Sequence, residues 1–169
     1  MIGRIVALWR PLLVALVIAG AGVGFLVAAG DSSATSPAAN RAVLDADATA
    51  KVAGDVSAAI ARIFSYTPDG LAETEHAAAS ALAGRAATQY KEILAPVKQQ
   101  APAQRLALTT EVVRAGVVSL EDDRAELLVF LDQKTTRAGR AVGTTAAAQL
   151  TVTARRDDGR WRITDIRSS

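Results

Sequence analysis

Hydrophobic and polar positions follow three different periods along this chain. Leu12–Ala29 (LLVALVIAGAGVGFLVAA) contains no charged side chain. From Leu44 to about residue 100, apolar positions recur every three or four residues, and from Leu106 onward they alternate. These regimes predict a membrane helix, a helical segment and an antiparallel sheet, in that order.

At about 1.5 Å per helical residue, Leu12–Ala29 reaches roughly 27 Å, close to the hydrocarbon thickness of a bilayer. Arg4 and Arg10 precede it, and no Lys or Arg follows until Arg41. The positive-inside bias therefore predicts cytoplasmic residues 1–11, an anchor over 12–29 and an extracytoplasmic remainder. Trp9 falls at headgroup level. A cleaved signal peptide competes, because Val27-Ala28-Ala29 offers small residues to a peptidase. The apolar run exceeds the usual length of about 7–15 residues for a signal core, and Ile2, Ile5, Val6 and Leu8 make the leading segment apolar too, so an uncleaved anchor is the preferred reading. Gly20 and Gly24 have the spacing of a helix-pairing motif, but glycine is common in membrane helices and the motif alone does not predict dimerisation.

Residues 30–40 (GDSSATSPAAN) read as a polar tether, and residues 41–169 are long enough for one domain with its own core. Leu44, Ala48, Val52, Val56, Ile60 and Ile63–Phe64 draw one stripe along a first helix of about 25 residues. Thr67-Pro68-Asp69-Gly70 is a turn. Leu71–Leu82 predicts a short Ala-rich helix ended by Gly84. Ala86–Gln100 predicts a third, with Tyr90, Ile93, Leu94 and Val97 on one face and Ala101-Pro102 as its stop. Four strands follow: Leu106–Leu120 with a bulge at Ala115-Gly116, Arg124–Gln133, Ala146–Arg155 and Arg160–Ile166. Residues 134–145 read as a loop, Glu121-Asp122-Asp123 and Asp158-Gly159 as hairpin turns. In the last strand Trp161 and Ile163 point inward and Arg160, Arg162 and Thr164 outward. The fold class is α+β: three helices packed on a curved four-stranded antiparallel sheet.

Charge adds little to this picture. Arg4 and Arg10 account for the excess of 19 Lys+Arg over 17 Asp+Glu, so the external part is formally neutral. The isoelectric point of about 9.3 thus reflects topology and predicts no nucleic-acid partner. With no cysteine, disulfides and thiolate metal sites are excluded.

Phe64-Ser65-Tyr66, Leu82-Ala83-Gly84, Val113–Val117, Leu128–Gln133 and Asp158–Ile166 carry a resemblance that extends over residues 41–166. The order of elements resembles the nuclear transport factor 2-like fold, a cone of helices on a bent sheet. With the anchor, the chain is similar to actinobacterial Mce-associated membrane proteins, which sit beside the mammalian-cell-entry lipid-transport systems. The resemblance implies an accessory role in stabilising or assembling Mce complexes, with Mce proteins as partners; the apolar segment adds the membrane, and a pocket in the cone would add a lipid. It implies no reaction.

Candidate chemistry is sparse. His76 lies three residues from Glu73 without a third ligand, which reads as a solvated surface histidine, and no metal or cofactor is expected. No serine sits in a nucleophile elbow, and no catalytic residue is assigned. Asp132 reads as a sheet-end cap or surface ion pair, with a general base inside the cone as the alternative that the fold resemblance implies. Phe64, Tyr66, Tyr90 and Trp161 are candidates to line an apolar pocket in the cone. Arg155, Arg156, Arg160 and Arg162 gather near the last hairpin and are candidates for contact with a partner or with lipid headgroups, against a plain solvated hairpin. Two functions follow: an anchored interaction module, or a membrane-tethered lipid or small-molecule binding domain. An isomerase- or dehydratase-like enzyme is the weakest reading, since no acid–base pair is visible.

Overall fold

A computed structural model describes residues 45–137 and 143–168. The expected anchor, Leu44 and part of the expected 134–145 loop lie outside the described residues. Among those described, no helix is long and apolar enough to cross a membrane.

The first helix, α1, spans Ala46–Ile63. It is shorter than the apolar stripe predicts because Asp45 caps it, its carboxylate accepting from Ala48 N at 2.8 Å. Val52, Val56, Ile60 and Ile63, spaced by four, four and three, are its buried side. Helix α2 covers Leu71–Ala81 and α3 covers Gly84–Gln104. Gly84 opens α3 at φ +54° rather than merely ending α2. The Ala101-Pro102 stop is also overrun. Tyr90, Leu94, Val97 and Ala101 keep the four-three-four spacing of one face, and burying Ala101 holds the helix together despite the missing N–H groups of Pro96 and Pro102. Arg105, in the left-handed region, then ends it.

The sheet runs β1 (Leu106–Glu121), β2 (Arg124–Arg137), β3 (Thr144–Asp157) and β4 (Arg160–Ser168), each strand antiparallel to its sequence neighbour. Strands β2 and β3 reach into the stretch expected as loop, Thr135 pairing with Thr144. The bulges in β1 lie at Val113 and Val118, flanking Ala115-Gly116 instead of falling on it. Asp122-Asp123 and Asp158-Gly159 make the two tight turns. The second has positive φ at both positions, the twist that suits a two-residue hairpin.

The inner face of the sheet carries the core: Ala125, Leu127, Val129 and Leu131 from β2, Val152 and Ala154 from β3, Trp161 and Ile163 from β4. A register shift opposite Thr153/Ala154 leaves Thr164 unpaired. It moves the inward position from odd to even numbers, so Ile166 rather than Asp165 packs against the core.

Each sheet edge is capped over part of its length by a helix end. On β1, Tyr66 and Leu108 exchange backbone bonds of 2.8 and 2.9 Å. Thr110 N donates to Ser65 Oγ at 2.9 Å, and Thr110 Oγ1 donates to Phe64 O at 2.6 Å. On β4, Ala83 N donates to Ile163 O at 2.8 Å, beside a parallel bridge between Leu82 and Ile163.

Two glycines test this account. Gly84→Ala places a side chain in the left-handed region and is expected to cost about 1–2 kcal/mol. Gly54→Ala, in the exposed middle of α1 with nothing near its Cβ, is expected to stabilise by about 0.5–1 kcal/mol. Denaturant unfolding of the two variants checks both signs.

Candidate functional site

The stretch between α3 and the C-terminal half of the sheet is incompletely filled. An apolar cavity of about 250 Å³ opens there, walled by α3, the end of α1, β1, β2, β3 and the end of β4. Phe64, Tyr66 and Tyr90 line it. The Phe64 and Tyr90 rings meet edge-to-face at 6.0 Å and 70°. Leu94, Leu131 and Leu150 complete the wall, and Ile93, 41% exposed, stands at its mouth. The polar residues of the lining are Gln89, Gln100, Gln133 and Ser168, besides the tyrosine hydroxyls, and among the described residues no charged side chain lines it.

Trp161 is elsewhere. It is buried on β4 outside the cavity, with the Arg156 guanidinium 4.9 Å from its ring centre. The Tyr90 hydroxyl is committed to Ile63 O at 2.6 Å and contributes only its ring to the wall. Burial, followed by the nearby Glu75 carboxylate, pushes the Tyr90 phenol up to about 12. Burial alone raises Tyr66 above its usual value.

Gln133 is the cavity residue that the sequence reading missed. Its amide nitrogen donates to Thr110 Oγ1 at 3.1 Å, and Thr110 in turn donates to Phe64 O. The signal was available: the inward alternation of Leu127, Val129 and Leu131 reaches residue 133, the last position of the expected strand. Asp132, one residue earlier, points to the opposite face. It is exposed in mid-strand between Glu111 and Ala147, neither at a sheet end nor in the cone.

The four arginines separate by role. Arg155, Arg156 and Arg160 are exposed. Arg162 is half-buried and donates to Leu82 O at 2.6 Å, Ala79 O at 3.3 Å and Asp157 Oδ2 at 3.4 Å, closing the carbonyl end of α2. His76 and Glu73 are exposed on α2, while Glu75 pairs with Lys98 at 2.8 Å. Among the described residues, no group of three His, Cys, Asp or Glu side chains could hold a metal ion.

The chain superposes on CagV, a VirB8 homolog of the type IV secretion system of Helicobacter pylori strain 26695, at a TM-score of 0.60 and 13% identity, over 71% of this chain and 97% of that one. The described domain has the VirB8 fold. No family model matches the sequence. Over 106 residues the chain is 39% identical to the uncharacterized protein Rv1362c of Mycobacterium tuberculosis (strain ATCC 25618 / H37Rv), covering 60% of this chain and 47% of that one. Over 108 residues it is 32% identical to the outer membrane protein Rv1973 of the same strain, covering 62% and 65% respectively. The chain thus spans about half the length of the first relative and under two thirds of the second.

Two predictions follow from this geometry. Arg162→Ala strips the α2 terminus of its donor and is expected to cost about 2 kcal/mol, whereas Arg160→Ala stays within about 0.5 kcal/mol, both read by urea unfolding. Tyr90 is neutral in the folded protein to about pH 12 but ionises near 10 when unfolded. Its contribution to stability is therefore full below pH 10 and lost as pH rises towards 12. Tyr90→Phe should remove that alkaline loss, as followed by unfolding midpoints across the window.

Proposed function

We propose that this protein is a single-pass, membrane-anchored accessory subunit of an Mce-type lipid-transport system, held with its N-terminus in the cytoplasm and its folded domain outside. It acts by protein–protein contact to stabilise or assemble the complex. The observation that carries the reading is the VirB8 fold following an apolar segment long enough to span a bilayer. The surface offers means of contact. Val113 and Val118, at the two bulges of β1, and Phe130 on β2 are 60%, 58% and 38% exposed, large apolar side chains held in water. Arg155, Arg156 and Arg160 supply positive charge for an acidic partner or anionic headgroups.

The apolar cavity favours a second reading, in which the domain binds a lipid or small molecule beside the membrane.

Tagging the C-terminus and extracting the full chain from native membranes in mild detergent tests the first reading. Mce subunits and their permease are expected to co-purify with protein of full mass. Phe130→Asp should reduce that recovery about tenfold without shifting the unfolding midpoint. Recovery alone, or at a mass lacking about the first 30 residues, would favour the ligand-binding domain instead.

A further inference from the structure

The polar groups of the cavity narrow what it can hold. Its wall is apolar, and among the described residues neither a cation nor an anion stands in the lining. A carboxylate, phosphate or ammonium head drawn inside would lose its hydration without gaining a counter-charge. A tail with an uncharged head meets no such penalty.

Of the polar lining residues Gln89, Gln100, Gln133 and Ser168, Gln133 has its amide held by a hydrogen bond within the wall. Phe64 O can only accept, so the Thr110 hydroxyl donates to it. Thr110 Oγ1 must then accept from Gln133, which sets the orientation of the Gln133 amide with its nitrogen towards Thr110. The Gln133 carbonyl oxygen is left as an acceptor. It makes no hydrogen bond to the described residues and is not enclosed, since Arg162 Nε is the buried side-chain polar atom that lacks a partner there. The edge seam between Phe64–Tyr66 and β1 thus holds an acceptor ready at the wall of an apolar cavity. An acceptor selects a donor, and a hydroxyl is an uncharged head group that supplies one.

Resting on the ligand-binding reading above, we propose that the cavity takes the single aliphatic chain of an uncharged, hydroxyl-bearing lipid, whose hydroxyl donates to Gln133 Oε1. The probe is a pair of diazirine-bearing molecules of equal chain length, a long-chain primary alcohol and the corresponding carboxylic acid. Full-length protein in lipid nanodiscs is irradiated with each at neutral pH, and adducts are located by peptide mass spectrometry. The alcohol is expected to label α3 and β2 peptides at least about fivefold more than the acid. Gln133→Leu should reduce that preference below about twofold. Ile93→Trp, a change at the exposed mouth that leaves the core intact, should block labelling by both. Equal or stronger labelling by the acid overturns the hydroxyl-bearing class while leaving a lipid cavity in place. No labelling of cavity peptides by either probe, or labelling unaffected by Ile93→Trp, overturns the cavity as a lipid site altogether.

Discussion

A four-stranded open sheet has two edges, each a row of backbone donors and acceptors that must be satisfied or shielded. Here the chain caps part of each with a helix end. The exit from α1 lies along β1 through Phe64, Ser65 and Tyr66, and the link between α2 and α3 lies along β4 through Leu82 and Ala83. Everything else hangs on these seams. They tie the exit of α1 to β1 and the α2–α3 link to β4, on either side of the layer that holds the core. The first also recruits the Ser65 hydroxyl, Thr110 and Gln133 into one directed chain of hydrogen bonds. Arg162 performs the matching task at the second, reaching the carbonyls at the end of α2.

The periodicities were enough to read three helices and four strands, because each element buries one regular face. Val52, Val56, Ile60 and Ile63 announce α1 without reference to the rest of the molecule. What remained illegible depends on contacts distant in sequence. Residues 134–137 are polar and look like a loop, but they are strand because β1 pairs with all four and β3 with the first two, up to Thr144. Pro102 looks like a stop, but Ala101 is held by the core. The bulges at Val113 and Val118 answer the curvature of the sheet, which no local composition encodes.

The same limit explains the candidate site. Aromatic residues could be named from sequence, and Phe64, Tyr66 and Tyr90 do meet around one cavity, while Trp161 packs apart from it. Their meeting is a tertiary fact. The four arginines looked equivalent because they share a hairpin. A helix terminus arriving from 80 positions away distinguishes Arg162 from its neighbours. Gln133 was overlooked for the converse reason: a glutamine has no chemical signature until something fixes its amide.

The seams also impose a timetable. Leu108 pairs with a residue some 40 positions earlier, and Ile163 with one about 80 positions earlier. A chain delivered across a membrane from its N-terminus would present α1, α2 and α3 first, with their apolar stripes uncovered until the sheet arrives. The meander then lets each new strand add to the one before it, and β4, the last of the four, is the piece that locks the helical layer down. Completion of this domain is therefore reported only by its last strand. A polypeptide interrupted before residue 163 would hold most of its secondary structure and still lack the closure that makes it one body.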